Sequence, residues 1–133
     1  METFLTPWRQ QILSLLRVVT GLCILQFGTA KILKFPAIPG LANVTPTTWP
    51  AGIAGSIELV LGALLVVGLF TRPVAFILSG LMAFAYFLGH AGNSIFPIIN
   101  GGTLAIMFSF ACLYLAAAGA GPLSVDALVR NKE

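Results

Sequence analysis

From Pro73 to Val125 the sequence contains no aspartate, glutamate, lysine or arginine. As one continuous helix this stretch would be about 80 Å long, against about 30 Å for the hydrocarbon core of a bilayer. It must therefore fold back on itself. The break is marked by Gly89-His90-Ala91-Gly92-Asn93-Ser94, then Pro97, then Asn100-Gly101-Gly102. Glycine, proline and asparagine at this density punctuate a chain, so the pattern predicts one helix near 73–88 and another near 101–118. Pro73 suits a first helical turn, where its missing N–H costs nothing, and Asn100 is a candidate N-cap for the last helix.

The rest of the chain extends this pattern. A span is predicted at 11–33, with Arg17 and Lys31 towards its two ends, and a second at 50–70, with Thr71-Arg72-Pro73 as the turn into the third. Between them, Phe35 to Pro50 holds Pro36, Pro39, Pro46 and Pro50 and reads as an irregular loop outside the membrane. Trp49 sits where an interfacial aromatic would. After Gly119-Ala120-Gly121-Pro122, Ser124 is placed to cap a short helix Val125–Arg130 with an apolar side suited to a membrane interface. The fold class expected is all-α: a single membrane domain, 1–133, with four transmembrane helices and a short cytoplasmic interfacial helix at its C-terminus.

Composition agrees. Seven basic and four acidic residues among 133, or 8% charged, cannot cover a water-facing surface, since soluble domains carry about 25%. A mean hydropathy of +0.99 places the apolar side chains in lipid. The net charge of +3 is too small and too scattered for nucleic-acid binding. The first apolar segment is too long for a signal peptide, and Arg17 interrupts it. Arg9, Arg17, Arg72, Arg130 and Lys132 fall on the side of the termini, and Lys31 and Lys34 on the other. The excess of positive charge predicts cytoplasmic termini in a bacterial inner membrane.

Glu58 stands out because a charge inside a membrane costs about 2.5–3.5 kcal/mol near a helix centre. Gly55 and Gly62 share its face, so a neighbouring helix can approach closely there. Glu58 should face the bundle interior and needs a partner or a proton. Arg17, Gly21, Ile24, Gly28 and Lys31 form a matching stripe on the first span. Two arrangements follow: a structural Arg17–Glu58 ion pair, and a candidate ligand-binding group of Glu58, Lys31, Tyr86, His90 and Asn100. The bland alternatives stay open. Arg17 and Lys31 can snorkel to headgroups, His90 can be a loop residue, and Asn100 a helix cap.

Other chemistries find no support. One histidine excludes bis-histidine haem ligation. Cys23 and Cys112 lie far apart in apolar runs with no C-x-x-C, so no metal site and no redox dithiol is indicated. There is no P-loop, no H-E-x-x-H and no nucleophile elbow. Intrinsic catalysis by this chain alone is therefore weakly supported.

The run Glu58-Leu-Val-Leu-Gly62, followed by Gly68-Leu-Phe-Thr-Arg72, resembles the second-span signature of the DoxX family. Leu16-Arg17, Gly28 with Lys31, Asn100-Gly101-Gly102 and the terminal Gly119-Ala-Gly121-Pro-Leu-Ser124-Val-Asp126 match the same pattern in order. The resemblance implies a four-span inner-membrane protein related to the small subunit of an archaeal terminal quinol oxidase and thiosulfate:quinone oxidoreductase. It implies an accessory subunit that contacts quinone and associates with a redox protein partner, with no covalently bound cofactor. Arg17, Lys31, Glu58, His90 and Asn100 are the positions carried over. The rival expectations are a small-molecule binder or transporter, enlarged if the chain forms a homo-oligomer, and a structural scaffold.

Overall fold

A computed structural model describes residues 3–131, which are helical and contain no strand. Helix α1 (Arg9–Gly28) runs on through a wider π-helical turn, Thr29–Leu33. It is followed by α2 (Ala51–Val67), α3 (Thr71–Gly89), the single turn α4 (Pro97–Asn100), α5 (Thr103–Ala118) and α6 (Val125–Arg130). Short 3-10 turns at Thr6–Trp8 and Pro39–Leu41 lie before α1 and inside the proline-rich loop. The predicted helices are all present, with ends displaced by at most three residues. Two helical runs, Thr6–Leu33 and Thr71–Gly89, are long and apolar enough to cross a membrane, while Ala51–Val67 and Thr103–Ala118 are apolar but shorter.

The turn between α2 and α3 shows why the chain reverses there. Gly68 ends α2 at φ 73°, and the N–H of Leu69 reaches back to the carbonyl of Leu64 at 3.0 Å. This is a left-handed helix stop with its backbone groups satisfied. A β-carbon at Gly68 would lie 2.8 Å from Arg17 Nη1 and 2.5 Å from Ser124 Cβ, so only glycine fits.

Helix α1 packs antiparallel to α2, and α3 packs along α5. The α1–α2 seam is built from small residues. A β-carbon on Gly21 would meet the backbone of Val66, one on Gly28 the backbone of Leu59, and one on Gly62 the backbone of Leu25. Backbones this close gain dispersion contacts that longer side chains would prevent. On the other side Ser79 and Ser109 exchange hydrogen bonds, each Oγ donating to the other's carbonyl at 2.7 and 2.9 Å. These bonds hold α3 to α5 with no unsatisfied hydroxyl. Ile24, Leu65, Ala75, Leu78, Cys112 and Leu115 fill the space between the pairs. The outward faces stay apolar: Leu22, Val60, Phe76, Phe84, Met107 and Phe110 are exposed. An unpartnered apolar skin on every long helix is what lipid requires and water penalises.

Candidate functional site

The close α1–α2 seam sets the register of the polar residues. Because Gly28 lies against Leu59 and the carbonyl carbon of Glu58, Glu58 stands level with the C-terminal end of α1, one turn from Lys31. Lys31 Nζ donates to Glu58 Oε2 at 2.9 Å and to Oε1 at 3.1 Å. Glu58 is 3% exposed. The Lys31 side chain is 16% exposed, and its ammonium lies 5.9 Å from the centre of the Phe27 ring, within reach of its π face. Gly55 makes room for the lysine stem, since a β-carbon there would meet Lys31 Cβ at 2.7 Å.

The expected Arg17–Glu58 pair does not form. In this register Arg17 is eleven residues from the level of Glu58, about 16 Å along the helix, too far for an arginine to bridge. Arg17 is nevertheless buried, at 1% exposure. It holds three backbone carbonyls: Ala120 through Nη1, and Leu123 at 2.7 Å and Val66 at 3.3 Å through Nη2. A fixed planar fork suits this task, because helix ends leave carbonyls without partners. Arg17 therefore ties the end of α2 to the segment leading into α6.

The five-residue group divides into two. Tyr86, His90 and Asn100 come together at the turn between α3 and α5. Asn100 Nδ2 donates to Tyr86 Oη at 3.2 Å and to the Ser94 carbonyl at 3.0 Å, its Oδ1 accepts from Gly102 N–H at 2.8 Å, and His90 Nδ1 lies 2.9 Å from the Asn100 carbonyl. Among the described residues no hydrogen bond joins this cluster to Lys31 or Glu58. Asn100 ends α4 and is not the cap residue of α5, which is Gly102. The cluster fastens the 89–102 turn.

A cavity of about 450 Å³ opens between α2 and α3, lined by Ile53, Ile57, Ile77, Leu81 and Phe84, with Trp49 at its edge and Lys31 in its wall. Tyr86, His90 and Asn100 do not line it. The chemistry of the cavity is that of an apolar slot with one cationic donor. An ammonium has three N–H groups, and Glu58 accounts for two. The third can be given to a carbonyl oxygen on a molecule entering the slot. Among the described residues no cluster of histidine, cysteine and carboxylates could hold a metal.

Two residues with structural consequences escaped sequence reasoning. Lys34 Nζ donates to the carbonyls of Lys31 at 2.7 Å, Leu41 at 2.8 Å and Val44, pinning the loop over the end of α1. Asp126 caps a helix other than its own: its carboxylate accepts from Phe70 N–H at 2.8 Å and Thr71 N–H at 2.9 Å, at the start of α3. Burial pushes its pKa up, but the hydrogen bonds from Thr71 and Phe70 and the charge of Arg17 outweigh this and hold it below the ordinary aspartate value. A carboxylate in a short terminal helix gives no local sign that its partner is more than fifty residues away. Within α6, Ser124 Oγ accepts from Ala127 N–H at 3.1 Å, the predicted cap.

Apolar outer faces, glycine-mediated seams and the buried Lys31–Glu58 ion pair define a helical membrane protein with a polar element in its interior. A family model described as DoxX matches residues 12–91, and the chain belongs to the DoxX family, whose members are membrane-associated. A protein of Haemophilus influenzae, described as uncharacterized, is 43% identical over 125 residues, covering 92% of this chain and 93% of that protein. No solved structure matches.

Proposed function

We propose that the protein crosses the bacterial inner membrane four times and holds an amphipathic carbonyl compound of the quinone type in the α2–α3 cavity, as an accessory subunit of a membrane oxidoreductase. The observation that carries this reading is Lys31. It lines an otherwise apolar slot while paired with buried Glu58. Small-molecule sites are mostly apolar with a few placed polar groups, and a quinone is an apolar tail with carbonyls at one end. The glutamate orients the lysine, and the lysine presents its third N–H to a carbonyl. The resemblance to DoxX proteins links such a carrier to oxidoreductases. The redox chemistry would belong to the partner.

The crossing arrangement is supported by lengths and edges. At 1.5 Å per residue α1 with its extension is well over 30 Å long, α3 about 28 Å, and α2 and α5 about 25 Å, enough when flanking residues complete the crossing. Exposed Trp8 and Trp49 mark opposite ends, as interfacial tryptophans do. At the Trp49 end, Lys31 is paired with Glu58 and Lys34 is held by carbonyls. At the Trp8 end, Arg9, Arg72 and Arg130 are exposed. The accessible positive charge favours a cytoplasmic position for that end.

Trp49 supplies the test. In nanodiscs, a Trp8→Phe variant reports on Trp49 alone, and a short-chain benzoquinone should quench it along a saturating curve. A β-carbon at Gly80, in the same cavity wall, would meet nothing within 4 Å, so Gly80→Phe can plug the slot with little cost to folding. Saturation lost in Gly80→Phe supports the site. Linear quenching, identical in both proteins, means collision in the lipid and refutes it.

A further inference from the structure

The end of the bundle opposite the Lys31–Glu58 pair holds a second cavity, of about 420 Å³ and different character. Gln10, Thr71, Arg72, Gly119, Asp126 and Arg130 contribute to its lining. Volumes of about 300–1,000 Å³ are typical of ligand sites. Two guanidinium groups border it, and among the described residues of its lining the one carboxylate is engaged: both Asp126 oxygens already accept from the first N–H groups of α3. Its charge is answered by that helix end and by Arg17.

Arg72 is half used. Nη1 donates to the carbonyls of Ala116, at 3.3 Å, and Ala117 at the end of α5. Nε and Nη2, the edge with two parallel N–H groups, have no acceptor among the described residues. Gly119 leaves that edge uncovered, since a β-carbon there would sit 3.1 Å from Nη2 and 3.5 Å from Nε. A fork edge of this kind matches two oxygens of a phosphate. Exposed Trp8, Phe70, Leu123 and Leu128 flank this end, offering apolar surface to the acyl chains of a molecule whose phosphate is held above them.

We infer that this cavity binds the phosphate of an anionic phospholipid between Arg72 and Arg130, so that a headgroup is seated against the α3 start and the α6 end. Basic pockets between membrane helices hold anionic headgroups in this way. The inference rests on the membrane character of the protein and is independent of the α2–α3 slot.

The test is native mass spectrometry of the full chain, released from nanodiscs containing phosphatidylglycerol or phosphatidylcholine, with inorganic phosphate as competitor. Arg72→Lys keeps the charge and loses the fork, and Arg130→Gln removes a charge at an exposed helix end without disturbing packing. The wild type should retain one phosphatidylglycerol that phosphatidylcholine does not replace. Each variant should hold it about ten- to a hundredfold less tightly, the loss of one or two charge-assisted hydrogen bonds. Equal retention by wild type and Arg130→Gln overturns the site. Displacement of the lipid by millimolar inorganic phosphate overturns the lipid assignment and makes the ligand a free anion.

Discussion

Replacing Gly28 by alanine should damage both the fold and the ion pair, and the size of the effect follows from the α1–α2 seam. The new β-carbon would lie 2.4 Å from Leu59 N and 2.6 Å from Leu59 Cα. Ordinary contact at such a carbon begins near 3.4 Å, so α2 would have to retreat by about 1 Å, and backbone atoms cannot turn aside as a flexible side chain would. Forcing extra atoms into a packed seam costs about 1–3 kcal/mol. The same retreat moves Glu58, the residue next to Leu59, away from α1. Hydrogen bonds of 2.9 and 3.1 Å would stretch towards 4 Å, beyond useful geometry. Gly80→Ala is the matched control: its β-carbon meets nothing within 4 Å, and alanine's helix preference should stabilise it by up to about 1 kcal/mol. Reversible unfolding in mixed micelles should place Gly28→Ala below wild type and Gly80→Ala at or above it. Equal stabilities for the two variants would refute the account of the seam.

Three further outcomes follow from the other contacts. Lys31→Met should destabilise by about 3–5 kcal/mol through the unpaired buried carboxylate, whereas Lys31→Met with Glu58→Leu should recover most of that in the same unfolding assay. Arg17→Lys should loosen residues 119–124, because an ammonium cannot reproduce the fork on three carbonyls; hydrogen exchange in that segment should rise while α3 and α5 stay protected. Asp126 has a folded-state pKa below its unfolded value. Its stabilising contribution is therefore complete above the unfolded value of about 3.9 and lost as pH falls through the folded one. Asp126→Asn should abolish that component of the acid transition in a pH series of unfolding curves, and at neutral pH should cost about 0.5–2 kcal/mol, the range for a lost helix cap.

Helix positions were readable because lipid imposes a strong rule: apolar runs separated by glycine and proline leave little choice of boundary. The α1–α2 seam was readable for the same reason, since Gly55, Glu58 and Gly62 fall on one face by spacing alone. The partner of Glu58 was not. The sequence offers Arg17 below and Lys31 above it, and only the vertical register of two helices, fixed by Gly21 on Val66 and Gly28 on Leu59, selects Lys31. The clustering of Tyr86, His90 and Asn100 was half legible, because their spacing brings them to one end but cannot say which other groups share it. Arg17 on carbonyls and Asp126 on the start of α3 depend on how the last segment folds back across the bundle. No periodicity in the segments that meet there encodes these contacts.

Native mass spectrometry of protein extracted gently from its own membrane tests whether the slot beside Lys31 and Glu58 is a binding site. The wild type should carry a small amphipathic molecule with a carbonyl-bearing head, absent from Gly80→Phe and depleted in Lys31→Met. Wild-type masses accounted for by apoprotein and ordinary phospholipid alone would contradict the claim and leave the ion pair a purely structural device.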